Sequence, residues 1–246
     1  MTNPKLTFCS RSHRGKIRKN NQDALAVQEK LLVGAIADGI GGGAYGHVAS
    51  QLAVDACIDY LSSLENSNSR SPDAATKELA NAVKFANEAI MTVQANDQQY
   101  QNMGTTLSCF WLKQSLTPGQ RNQQGAYQLH YSWVGDSRIY RIRPTENTID
   151  QLTIDHTLDP DKIDAHQAPK LHQQANKILT QKVGSILLLK PDTGSATILA
   201  GDIILACTDG LSDRIEEACL LEYAVNHQYH LDKYADHLLE NALDRG

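Results

Sequence analysis

Short apolar runs and long one-sided stripes take turns along this chain. The runs come first, at 6–9, 24–27 and 31–37. The last two are separated only by Gln28–Lys30, which predicts a hairpin. The period then changes. Val48, Leu52, Ala56, Tyr60 and Leu64 recur every four residues, which predicts an amphipathic helix over 46–64. Ala75, Leu79, Ala82, Val83, Ala86, Ile90 and Val93 form a second stripe and predict a helix over 72–95. Ser71 is a natural cap for it, and Pro72 suits its first position because proline has no amide to leave unpaired.

Strand patterns return at 105–112, 126–134, 138–143 and 149–152, and again at 196–199 and 203–207. Residues 157–185 are polar and weakly patterned, with two short helices. Two stripes, at 215–226 and 231–243, predict closing helices. The polar stretches 65–71 and 113–124 read as surface loops, the second a long hairpin loop containing Pro118 and Gly119. Strands and helices come in groups rather than as alternating single β–α units. That favours an α+β fold over a doubly wound parallel sheet. Two helix pairs bracketing two strand groups fit a sheet-on-sheet core with helices outside.

Composition narrows the class. At 246 residues, with 41% hydrophobic and 21% charged, the chain can bury a core without disulfides and is neither disordered nor a coiled coil. No repeat or linker divides it, so a single domain over 1–246 is expected. A net charge of −5 with scattered Lys and Arg argues against general nucleic-acid binding. No run of about 18 apolar residues predicts a transmembrane helix, and the first residues lack the apolar core of a signal peptide. Cys9, Cys57, Cys109, Cys207 and Cys219 are odd in number and mostly among apolar neighbours. They read as reduced thiols of a cytoplasmic protein. Neither CxxC nor HExxH occurs.

The acidic positions carry the chemistry. Asp38 follows the run LLVGAIA, Asp209 follows IILACT, and Asp136 follows QLHYSWV behind Gly135. Three times, an apolar strand ends in an Asp beside a Gly. A carboxylate at the mouth of an apolar core is costly unless neutralised. Carboxylates, backbone carbonyls and water are the ligands that Mg²⁺ and Mn²⁺ take. One such Asp reads as a turn or cap residue; three in one chain favour a metal site. Asp23, beside the run at 24–27, is a fourth, preceded by Arg14, Lys16, Arg18 and Lys19. A guanidinium beside a divalent-metal site is suited to a phosphate. Arg18 is the best placed, five residues before Asp23, although a solvated basic turn accounts for any one of these four. The loop GIGGGAYG lacks the Lys-Ser/Thr of a P-loop, and Asp38 sets a negative charge where a pyrophosphate would lie.

With these residues in view, the chain resembles the metal-dependent type 2C (PPM) serine/threonine protein phosphatases in their compact bacterial form. The matching segments run in family order: GKIRKNNQD at 15–23, ADGIGGGAYGHVAS at 37–50, MGTTLS at 103–108, VGDSRIYRIR at 134–143, QLTIDHTL at 151–158, KILTQKVG at 177–184 and GDIILACTDGLSD at 201–213. The resemblance implies a four-layer α-β-β-α sandwich, two antiparallel sheets flanked by helix pairs, with a cleft for two Mn²⁺ or Mg²⁺ ions. By position, Asp38 would bridge the ions, the Gly39 carbonyl would bind one and Asp209 the other. Asp23 would lie in the first or second shell, and Asp136 would take a third, weaker ion. Arg18 would bind the phosphate, Thr105 and Thr106 would pack beneath the cleft, and 157–185 would be a mobile flap. The implied reaction is hydrolysis of phosphoserine and phosphothreonine on proteins by a hydroxide bridging the metals. The implied partners are phosphorylated proteins, substrates of a Ser/Thr kinase, met by a cytoplasmic monomer with no membrane or nucleic-acid partner.

This chain departs from the family pattern in three places. The family's closing Gly-rich turn, Asp-Asn pair and last strand have no counterpart before Gly246, so one strand and one metal ligand are expected to be absent. The family's histidine positions are Ile40 and Gly43 here, and the flap arginine is Gln181. That leaves the leaving group's acid open between a metal-bound water and His47, itself otherwise a surface helix residue; His156 in LTIDHTL is not at the family's place either. Two other readings remain: an inactive phosphoprotein-binding module of the same fold, and a phosphoesterase for small molecules.

Overall fold

The computed structural model describes residues 6–40, 45–64, 72–114, 127–165, 168–185, 188–227 and 230–246. The 65–71 loop with its Ser71 cap, most of the 113–124 loop and Gly43 lie outside the described residues. In chain order the elements are β1 (Asp23–Gln28), β2 (Val33–Asp38), α1 (Gly46–Ser63), α2 (Pro72–Asn96), β3 (Leu107–Gln114), β4 (Tyr127–Val134), β5 (Arg138–Arg143) and β6 (Thr148–Gln151). After these come α3 (Pro169–Gln174), β7 (Asp192–Ile198), β8 (Ile203–Cys207), the single turn α4 (Asp209–Ser212), α5 (Glu217–His227) and α6 (Leu231–Asp244).

Two antiparallel sheets form, with strand orders β1-β2-β3-β4-β7 and β6-β5-β8. Alternation along the strands sorts side chains into three apolar interfaces. In β8, Ile203, Leu205 and Cys207 join Tyr140 and Ile142 of β5 against α5 and α6. Ile204 and Ala206 face the other way, toward Leu112, Leu129 and Trp133 of the larger sheet. Leu107 and Cys109 of β3 pack with Ala53, Val54, Leu79 and Val83 of α1 and α2. Three interfaces make four layers, α-β-β-α.

Three elements differ from the sequence expectation. The 6–9 run forms no strand; Leu6 packs into the inter-sheet core and the Cys9 thiol donates to the Leu231 carbonyl (3.6 Å). Beyond it, Arg11 is held by Asp232 and Asp236 and Lys16 by Asp244, so the basic segment straps onto α6. β7 starts at Asp192 rather than 196, because the polar residues DTGS find β4 as a partner. The turn at 209–212 has no apolar stripe to announce it. β8 pairs with β5 alone among the described strands. Along its other edge runs a cavity of about 1180 Å³, lined by β8 itself, by Leu25, Val27 and Ile36, and by Leu238 and Leu239 of α6.

Candidate functional site

The hairpin register sets the first two carboxylates. Asp23 opens β1 and Asp38 closes β2, and they are directly paired across the ladder. Asp136 lies in the turn between β4 and β5, and Asp209 begins α4 immediately after β8. All four carboxylates and Arg18 line the same cavity. The Thr208 hydroxyl donates to Asp23 Oδ2 (3.1 Å), tying the end of β8 to the start of β1. Arg18 is exposed at the mouth, where its Nη1 donates to Gln22 Oε1 (3.2 Å).

Thr105 and Thr106 are buried and do not line the cavity themselves, but both bond the Asp38 backbone. Thr105 Oγ1 donates to the Asp38 carbonyl (2.7 Å), which also accepts the Thr106 amide (2.9 Å). The Asp38 amide donates to Thr106 Oγ1 (2.9 Å), and that oxygen is 2.6 Å from Ser137 Oγ. One buried hydroxyl therefore links the Asp38 backbone to the Asp136 turn. Gly135 in that turn has φ +103°, and a Cβ there would stand 2.6 Å from Thr106 Cγ2, so only glycine fits. Thr106→Val keeps the volume but strands these partners. It is expected to cost about 1–3 kcal/mol of stability, measured by urea unfolding; an unchanged midpoint would show that the network carries no net stability.

Electrostatically, the carboxylates oppose one another's ionisation. The Asp38 carboxyl is pushed up to about 9, first by burial and then by Asp209 and Asp23 beside it. Asp136 is pushed up to about 6 by burial and by Asp209. Asp23 is raised by burial too, with the Thr208 hydrogen bond opposing. Such a group of carboxylates fits a hard divalent cation, which takes oxygen donors and removes their mutual repulsion. Among the described residues, no three His, Cys, Asp or Glu side chains already close round a single point.

The other expected positions are not among the cavity-lining residues, although Gly39 directly follows Asp38. Gly39 is buried with its amide on the Gln22 carbonyl (2.9 Å), and a Cβ there would collide with the Gly46 carbonyl. His47, half-buried in the first turn of α1, is not among the cavity-lining residues, and its buried Nδ1 has no partner. Ile40 donates its amide to Gly104 (3.0 Å). The Gln181 side chain accepts the Lys190 amide (3.2 Å). Sequence reading passed over His13, which lines the cavity with its Nδ1 taking the Gly15 amide (3.0 Å). It also passed over Arg138, whose fork grips Asp155 (2.7–3.2 Å) two residues after Asp136. Neither sits in a pattern that periodicity makes visible.

A sequence profile of the family described as Protein phosphatase 2C matches residues 10–244. The serine/threonine protein phosphatase PstP of Mycobacterium tuberculosis is 34% identical over 222 residues, 88% of this chain. The chain spans only 38% of that relative's length. Protein phosphatase PhpP of Streptococcus pneumoniae is 30% identical over 210 residues, covering 82% of this chain and 77% of the relative. Among solved structures, the catalytic domain of PstP in complex with 2 manganese ions superposes with a TM-score of 0.71 at 28% identity. That match covers 96% of this chain and 90% of that one.

Proposed function

The chain belongs to the protein phosphatase 2C family, and from that premise we propose that it hydrolyses phosphoserine and phosphothreonine esters on proteins with two Mn²⁺ or Mg²⁺ ions. The observation that carries this reading is the set of four aspartates and Arg18 on one cavity, with Asp38 pushed up to about 9 by burial and by Asp209 and Asp23 beside it. Asp38 and Asp209, with the Gly39 carbonyl and Asp23, would hold the two ions, and Asp136 a third, weaker one. Bound there, divalent ions supply an activated water and polarise the phosphoryl group. The protein's own groups do the rest. Thr105 and Thr106 fix the Asp38 backbone, so its carboxylate is aimed before substrate arrives. Arg18 at the mouth offers its fork to the phosphoryl oxygens. His47 does not line the cavity, which favours a metal-bound water over it as the leaving group's acid.

Phosphate release should be followed from phosphoserine and phosphothreonine peptides and from nitrophenyl phosphate, with Mn²⁺ and after exhaustive chelation. Metal-dependent turnover of the peptides is expected. Peptide binding without turnover would make the chain a phosphoprotein-binding module, and turnover of small esters alone would make it a small-molecule phosphoesterase. Arg18→Ala is expected to raise KM and lower kcat/KM about 10- to 100-fold, the loss of one charge-assisted contact. A metal-binding defect at unchanged KM would place Arg18 outside phosphate binding.

A further inference from the structure

We propose that His156 is a positioning residue: it locks the Gly135–Asp136 turn to the 178–183 segment, and so fixes where the Asp136 carboxylate stands. Every polar group of His156 is used, two on Gly135 and one each on Thr180 and Asp192. Its amide donates to the Gly135 carbonyl (3.0 Å), and the Gly135 amide donates back to its Nδ1 (3.2 Å). These two bonds close a ring between the histidine and the residue that precedes Asp136. Its carbonyl accepts the Thr180 amide (2.7 Å), three residues before Val183, which pairs with Thr105 behind Asp38. Its Nε2 meets Asp192 Oδ2 of β7 (3.1 Å). The ring itself is buried, 8% exposed, and stacks on Trp133 at 5.9 Å between centroids.

The tautomer follows from these partners. An N–H of Gly135 aimed at Nδ1 requires that nitrogen to be bare, so the ring hydrogen sits on Nε2 and is donated to Asp192. Gly135 cannot turn elsewhere for a partner, because φ +103° and Thr106 hold it. A second tie, from Trp133 Nε1 to the Ile154 carbonyl (2.8 Å), anchors the same approach two residues before the histidine. The imidazole is therefore a rigid spacer between an acidic turn of the site and β7, while the main chain of the same residue holds the 178–183 segment. It touches no reacting group.

The inference that Asp136 is the carboxylate being aimed rests on the proposed cation site; the lock itself does not. Three variants separate the contacts. His156→Asn sets an amide oxygen near the position of Nδ1, His156→Gln reaches the position of Nε2, and His156→Ala reaches neither. The first readout is hydrogen exchange at the Gly135 and Thr180 amides in the whole chain. Protection at Gly135 should fall about tenfold in the Ala and Gln variants and be largely kept in Asn, as for one hydrogen bond. The second is the Mn²⁺ concentration for half-maximal thermal stabilisation, which should rise several-fold in Ala and Gln, be restored in Asn, and stay unmoved by His156→Ala when Asp136→Asn is already present. Equal Gly135 protection in all four proteins would overturn the lock. Effects of Ala that add fully to those of Asp136→Asn would overturn the aiming of Asp136. If the unaltered protein takes up no Mn²⁺, the cation reading and the aiming fall together, and the exchange result alone decides the lock.

Discussion

Asp38→Asn is expected to lower kcat by about three orders of magnitude or more while leaving the fold intact. The substitution keeps the shape of the side chain and every backbone bond to Thr105 and Thr106. What it removes is the carboxylate proposed to be shared between both ions. Ion stabilisation of the transition state is worth several kcal/mol, and each 1.36 kcal/mol is tenfold in rate. The metal-free variant should melt no lower than the unaltered protein, since the unaltered chain must take up a proton to bury this carboxyl and the neutral Asn need not. Phosphate release at saturating Mn²⁺, paired with thermal melts, checks both halves. A variant retaining a tenth of the original rate would remove Asp38 from the metal set.

The second large effect is a pH-dependent gain in stability on adding Mn²⁺. Asp38 is held up to about 9 and Asp136 up to about 6, both above the value of 3.8 for an unperturbed Asp. Between pH 4 and pH 9 the folded chain therefore keeps protons that the unfolded chain has released. Without metal, stability falls as pH rises through that window. A cation must displace these protons, so its binding strengthens over the same range. At one hundred times the dissociation constant, linkage supplies about 2.7 kcal/mol, or roughly 5–10 °C in Tm for a chain of this size. That gain is expected at pH 8 and should largely vanish at pH 5.5, as read by thermal melts with Mn²⁺ and with chelator. A gain independent of pH would mean that the ion binds away from these carboxylates.

The four layers were legible because apolar period and burial coincide. The stripe through Ala75, Leu79, Val83 and Ile90 is buried along its length against the larger sheet. The carboxylates were legible for a related reason: a strand that ends in Asp-Gly or Gly-Asp marks an apolar core opening toward water. Sequence reading fell short where structure depends on partners far along the chain. β7 begins with four polar residues that are strand only because β4 lies beside them. The 6–9 run looks like a strand and is not one, since apolar character alone supplies no partner edge. Thr106 and Ser137 stand 31 positions apart, and no local pattern foretells that their hydroxyls meet. His47 was attractive because it follows Asp38 closely, but the start of α1 carries it off the cavity wall.

The open edge of β8 bears on how copies of this molecule behave toward one another. Its five residues, IILAC, are buried or half-buried and carry no charge and no proline, two features that usually blunt an edge strand. Their outward amides and carbonyls are a ready template for another extended backbone, with an apolar trough beside them. Self-association through this edge would rest on main-chain bonding and apolar contact, so raising the salt concentration would not suppress it. Salt would instead screen the net charge of −5, whose mutual repulsion holds neighbouring copies apart. Among the described strands, the one that presents Asp209 to the site thus also offers a backbone edge on which a second extended segment fits.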